Sequence, residues 1–324
     1  MPWRSSLKAK KLFLFTVFLF FSFSIFAQEK VYLWPKKKGP GSEKLKIQEN
    51  VEERGAPSSH DRAISAVTEP YFEVYRPENP NKKGILIIPG GSYQRVVYDK
   101  EGLNYTKAYN DAGYTCFVLV YRTPNDDHKS KETVSLQDAQ RAMRIIKSRS
   151  SEFNLDEAKI GVIGSSAGGH VAASLALFYD REVYKPVDKA DFSSEKEKTW
   201  RSAKPAFQIL MYPVISMQDE RTHSLSQKNL LGENASSQLK DEWSLENHVT
   251  KTAPISFLCC AINDKSVNPE GNIIPYWQAL RKNGVKTELH VFPASGHGFG
   301  VNGASGTARQ WQALSITWLE TYVK

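Results

Sequence analysis

The stretch "KIGVIGSSAGGHVAASLAL", Lys159 to Leu177, runs from apolar through very small to helical within nineteen residues. It begins as a buried strand and ends as a helix, so the small residues between must carry a tight turn. Two serines are adjacent there. Gly164 and Gly168 stand two positions either side of Ser166, giving G-x-S-x-G, whereas the corresponding neighbours of Ser165 are Ile163 and Ala167. A serine nucleophile presented on a strained strand-to-helix turn needs those glycines, because there is no room for side chains beside it. Ser166 is therefore the candidate nucleophile. The Ala167 amide, at the helix N-terminus, is a candidate donor to a developing oxyanion.

Working outward, short apolar runs alternate with amphipathic helical patterns: "YFEVYRP", "KGILIIPGG", "NYTKAYNDAG", "YTCFVLVYR", "LQDAQRAMRIIKSR", then the opening stretch. After it come "PAFQILMYPVI", "PISFLCCAIND", "IIPYWQALRKNG", "KTELHVFP" and "TARQWQALSITWLETYV". Such alternation predicts an α/β fold with a mostly parallel central sheet and helices on both faces. Two polar, charged segments interrupt it, 180–204 and 216–252, and are expected as cap or rim insertions or as surface loops.

A serine hydroxyl needs a positioned base, and that base an orienting carboxylate. On this fold the chain order should be Ser, then Asp or Glu, then His. Asp264 follows the apolar strand "ISFLCCA", and His297 lies in the glycine-rich "PASGHGFG" after another strand. Both should emerge at the same sheet edge as Ser166. Glu270 is a rival carboxylate, placed too far past the strand and expected in the next helix. His170, one turn beyond Ser166, should pack under the elbow, and His290 alternates within a strand. His60, His128, His223 and His248 fall outside strand-end positions. The second oxyanion donor is expected from the loop after an early strand, "IIPGGSY", where the amides of Gly91 or Ser92 are candidates.

"IIPGGSY", "YNDAGYTCFVLVYR", "GSSAGGHVA", "INDKSV" and "HVFPASGHGFG" together resemble the α/β-hydrolase superfamily, most of all secreted bacterial acetyl xylan esterases and related carbohydrate acetylesterases. The resemblance covers 71–324. It implies nucleophile Ser166, acid Asp264 and base His297, no cofactor and no metal, and an acylated oligo- or polysaccharide as substrate. Pro89 and Ser92 stand where relatives commonly carry a leading histidine and a third glycine, which leaves the identity of the donating loop amide open. A serine peptidase of the prolyl-oligopeptidase type and a non-catalytic sugar-binding protein on the same fold are the alternatives. Trp200, Trp243 and Trp277 are candidate sugar-stacking platforms; Trp311 and Trp318 read as core.

Residues 1–27 have the form of a secretory signal peptide, with a basic start (Arg4, Lys8, Lys10, Lys11), an apolar run from Leu12 to Phe26 and Ala27 at the cut. The run is shorter than the ~20 residues of a spanning helix. Export to the periplasm or medium, with no membrane attachment after cleavage, is the expectation. Without these four cations the net charge falls from +8 to +4, so the basic balance gives no case for nucleic acid. Residues 28–66 are expected as an N-terminal arm and 67–324 as the catalytic domain. Cys116, Cys259 and Cys260 read as buried thiols rather than a disulfide framework. No H-x-x-x-H, H-E-x-x-H or G-x-x-x-x-G-K-[ST] pattern occurs.

Overall fold

The computed structural model describes residues 1, 28–56 and 59–324. The expected signal segment, Met1 apart, lies outside the described residues. No helix among those described is long and apolar enough to cross a membrane.

Eight strands form the central sheet: β1 (Glu29–Tyr32), β2 (Tyr71–Tyr75), β3 (Gly84–Ile88), β4 (Thr115–Val120), β5 (Ile160–Ser165), β6 (Phe207–Met211), β7 (Ile255–Ala261) and β8 (Thr287–Phe292). Their order is β1-β2-β4-β3-β5-β6-β7-β8. The two pairings β1–β2 and β2–β4 are antiparallel, and every pairing from β4 onward is parallel. Residues of β3, β4, β5 and β6 are buried throughout. Strands buried on both sides are what parallel pairing covered by helices produces, and their near-continuous apolar runs follow from it. The helices are α1 (Asn104–Asp111), α2 (Lys131–Ser148), α3 (Ser166–Leu177), α4 (Ser224–Leu231), α5 (Ser237–Glu242), α6 (Ile273–Lys282) and α7 (Trp311–Tyr322). α1 and α7 pack together, with Tyr109 and Ser315 hydroxyls 2.8 Å apart, and α2 packs on α3. Trp311 and Trp318 are core, and the three cysteines are free and buried.

The segment 28–66 does more than wrap the surface. β1 extends the central sheet, and Asn50–Glu53 with Arg62–Ser65 and Val96–Val97 form a small second sheet. Between them the arm docks through a buried ion pair. Arg122 and Asp138 meet at 2.8 Å, both side chains fully inaccessible. Asp138 also accepts from Trp34 Nε1 at 2.9 Å and from the Arg122 amide at 2.9 Å. Arg122 Nη1 donates to Pro40 O at 2.6 Å and Ser42 Oγ at 3.0 Å. Arg141 Nε donates to Leu33 O at 2.8 Å. Charges out of water are tolerated only when hydrogen bonds use up their donors and acceptors, as here.

The two insertions part company. Residues 180–204 follow the C-terminal end of α3, hence the sheet edge remote from Ser166, because α3 starts beside Ser166 and runs back along the sheet. This segment carries a small hairpin, Phe192–Ser194 with Thr199–Trp200, and is fastened to α2. Arg144 donates to Arg201 O at 2.8 Å and Tyr184 Oη at 2.7 Å, and Lys147 to Lys204 O at 2.8 Å. It is neither cap nor rim. Residues 216–252 do follow a strand end on the Ser166 side and carry α4 and α5. Trp243 is 2 % exposed and belongs to the core, so it offers no sugar platform. Trp200 sits on the remote hairpin over Arg144, and Trp277 on α6 beneath Arg281.

Because removing one partner of a buried pair strands the other, Asp138→Ala is expected to lower unfolding free energy by about 3–5 kcal/mol. Denaturant unfolding checks this; a change under ~1 kcal/mol would show that the pair does not anchor the arm.

Candidate active site

The turn between β5 and α3 is set by contact distances. A Cβ on Gly164 would lie 2.3 Å from Gly168 O, and one on Gly168 would lie 2.2 Å from Ile88 O. Strand, helix and the end of β3 approach so closely that only hydrogen fits. Ser166 takes φ +54°, the left-handed region that a non-glycine residue adopts only when its surroundings enforce it. Its carbonyl accepts from Val214 N at 3.0 Å, which helps to hold that turn.

Ser166 Oγ lies 2.8 Å from His297 Nε2. His297 Nδ1 lies 2.7 Å from Asp264 Oδ2. The second oxygen, Asp264 Oδ1, accepts the amides of Ser266 and Val267, each at 2.9 Å. This leaves Oδ2 for the imidazole, with the carboxylate side chain wholly buried. Since Oδ2 can only accept when ionised, Nδ1 carries hydrogen and Nε2 is free to accept from Ser166. His297 sits on the loop after β8, with Gly296 N held by Asn263 Oδ1 at 3.0 Å and the Tyr212 ring 5.1 Å away, edge to face. Three residues from three separate strand ends thus form one hydrogen-bonded line.

Ser165 belongs to a different network. It is buried, and its Oγ lies 2.9 Å from Tyr105 Oη, which in turn lies 3.1 Å from Tyr212 Oη. His170 is also buried, between Tyr93 Oη at 2.7 Å and Trp243 O at 2.9 Å, and burial lowers its pKa to about 4. It packs under the elbow as a neutral ring.

In the loop after β3, the Gly90 amide is taken by Glu101 Oε2 at 2.9 Å. Among the described residues, the amides of Gly91 and Ser92 donate to no protein acceptor, and Ala167 N lies in the unpaired first turn of α3. These are the three donors named from sequence. The loop is braced by Asn229 Nδ2, from α4, donating to Ser92 O at 2.8 Å. Glu270 lies in the turn before α6 rather than in the helix, with its amide on Asn268 Oδ1 at 2.9 Å.

Sequence reading passed over four neighbours. Glu101 and Tyr212 are buried beside the line, and Asn229 braces the donor loop. His223, set aside as lying away from strand ends, is near enough that His297 and Asp264 both act on its charge; burial is the larger influence and lowers its pKa. None carries a local motif. Among the described residues, no three His, Cys, Asp or Glu side chains gather as metal ligands would.

The contacts separate Ser165 and Gly168 energetically. Ser165→Ala removes one neutral hydrogen bond and is expected to cost about 1 kcal/mol. Gly168→Ala drives a methyl into backbone, and is expected to cost at least ~3 kcal/mol or to prevent folding. Thermal and denaturant unfolding of both proteins checks the order; equal stabilities would contradict the packing described.

The BD-FAE family model matches residues 72–273, a span that includes Ser166 and Asp264 and stops short of His297. An acetylxylan esterase of Xylanibacter ruminicola is 30% identical over 229 residues, covering 70% of this chain and 43% of that protein. Endo-1,4-beta-xylanase B of Butyrivibrio fibrisolvens is 33% identical over 217 residues, covering 67% and 32%. The chain therefore spans less than half the length of these two relatives. Among solved structures, an acetyl ester-xyloside bifunctional hydrolase from Caldicellulosiruptor lactoaceticus superposes with a TM-score of 0.72 at 30% identity, covering 91% of this chain and 96% of that one. With well over half of its length matched, the chain belongs to the BD-FAE family of α/β hydrolases.

Proposed function

We propose that the protein is an exported serine carboxylic-ester hydrolase that removes acetyl groups from a polysaccharide such as xylan. The observation that carries this reading is the hydrogen-bonded line Ser166–His297–Asp264 at 2.8 and 2.7 Å. In the proposed reaction Ser166 Oγ attacks the ester carbonyl carbon while His297 Nε2 takes its proton. Asp264 holds Nδ1–H and compensates the imidazolium charge. The carbonyl oxygen, now negative, receives N–H groups of Ala167 and of Gly91 or Ser92. Collapse breaks the bond to the sugar oxygen, which leaves with the proton from His297. Water then attacks the acyl-enzyme by the same path, releasing acetate and restoring Ser166.

Substrate class rests on the relatives. The chain is similar to an acetylxylan esterase and to a xylanase, and a 30% identical structure is described as an acetyl ester-xyloside bifunctional hydrolase. Export rests on residues 1–27, with their basic start and apolar run. N-terminal sequencing of the secreted protein is expected to begin near Gln28.

Ser166→Ala is expected to lose activity by at least ~10⁴-fold, while Ser165→Ala keeps most of it. Aryl esters of increasing chain length should turn over fastest as acetate and fall steeply beyond butyrate. Each methylene kept out of a short pocket forfeits about 0.8 kcal/mol of burial. Acetate should also be released from acetylated xylo-oligosaccharides. Octanoate esters as fast as acetate, or peptide amides faster than either, would overturn the acetylesterase reading; full activity in Ser166→Ala would overturn the nucleophile.

A further inference from the structure

Glu101 is 4 % exposed and carries no role in the reaction described above. It lies in a single π-helical turn, Asp99–Leu103, a conformation that is rare and concentrated at functional sites. Its Oε2 accepts the Gly90 amide at 2.9 Å. The same oxygen is 2.5 Å, and Ser166 Cβ 2.8 Å, from the point that a Cβ on Gly90 would occupy. The carboxyl therefore stands directly behind the donor loop and beside the candidate nucleophile. Its other oxygen lies 3.6 Å from the Cβ position of Gly298, the residue after His297. Lys100 from its own turn, His297, Tyr212, Tyr105 and Tyr121 face it. Burial raises its pKa, opposed in turn by His297, the Gly90 amide and the Tyr212 hydroxyl.

The loop that Glu101 holds is strained. Gly91 takes φ +134°, and Ser92 and Tyr93 follow at +58° and +60°, two successive non-glycine residues in the left-handed region. Such a run persists only when the surroundings over-determine it. Three side chains help to do so, beside backbone bonds to the carbonyls of Gly90 and Gly91: Asn229 on Ser92 O, His170 on the Tyr93 hydroxyl, and Glu101 on the Gly90 amide. The last acts at the residue preceding the proposed donors, on the amide of Gly90, whose carbonyl accepts from Val97 N at 2.9 Å. Donors fixed before the reaction need no reorganisation when the oxyanion forms, and that fixity is where their rate advantage lies.

We propose that Glu101 is a positioning residue for the acyl transfer proposed above, on which this inference rests: its carboxyl clamps the Gly90 amide and thereby holds the Gly91–Ser92 turn beside Ser166. The clamp requires an acceptor at one place rather than a charge. Glutamine supplies that acceptor, methionine fills the volume without it, and aspartate keeps the charge but withdraws it by a methylene.

The test compares Glu101→Met, Glu101→Gln and Glu101→Asp with the parent on p-nitrophenyl acetate, alongside inhibition by a short alkylboronic acid that mimics the tetrahedral intermediate. Glu101→Met should lose about 10²-fold in kcat, with KM near the parent's and the boronate inhibition constant weakened by a similar factor. Glu101→Gln should recover most of both. A Met variant with parental kcat, or a Gln variant no better than Met, overturns the clamp. Should the Met variant not fold, the Asp variant decides: turnover below that of Gln supports the clamp, and turnover above it overturns it. A folded parent that hydrolyses no ester removes the function reading and this inference with it; an active parent with an indifferent Met variant removes this inference alone.

Discussion

Hydrogen atoms at two positions decide the layout of this protein. Because Gly164 and Gly168 present no Cβ, the end of β5, the first turn of α3 and the end of β3 close to within 2.2–2.3 Å of where methyl groups would sit. That approach forces Ser166 into a left-handed turn and lifts its hydroxyl off the sheet. It also brings the loop after β3 alongside, since Ile88 O and Pro89 O are the atoms against which Gly168 packs. The candidate nucleophile and its candidate donors are therefore neighbours for one steric reason. The remaining partners need only the parallel order β5-β6-β7-β8, which delivers the ends of β7 and β8 to the same edge.

Two carboxyls flank the site and differ in how they are satisfied. Asp264 is held by two backbone amides on one oxygen and by His297 on the other. Glu101 has one backbone amide and a ring of tyrosines, and burial dominates its behaviour. The first arrangement occupies both oxygens with fixed donors; the second leaves a buried carboxyl whose main use is its shape and acceptor geometry.

What could be read from sequence was whatever has a local signature. The elbow glycines, the strand-end Asp264 and the loop-borne His297 each follow from a pattern a few residues long, and the structure brings all three together. Glu101 lies just before the helical run that starts at Asn104, Tyr212 at a strand end and Asn229 in an insertion, and only tertiary packing brings them near Ser166. The insertion at 180–204 reads in sequence either as cap or rim or as a surface loop, and the first of these requires it to follow a strand end. It follows a helix end instead, and lands at the opposite edge. Trp243 looked available in a polar stretch, yet packs with His170 and Phe178 in the core. β1 escaped notice because an edge strand with charged, half-exposed positions has no sustained apolar period.

The docking of the arm also has a bearing on the loops that must close for the molecule to fold. Trp34 meets Asp138 across 104 residues of chain, and Leu33 meets Arg141 across 108. In the chain the arm precedes its receptor α2, which begins only at Lys131. Closing so long a loop carries an entropic cost that must be met before the contact rewards it. The edge strand itself has a nearer partner, β2, paired from Glu29↔Val74 to Tyr32↔Tyr71, so the long closure falls on the Trp34 and Leu33 contacts with α2.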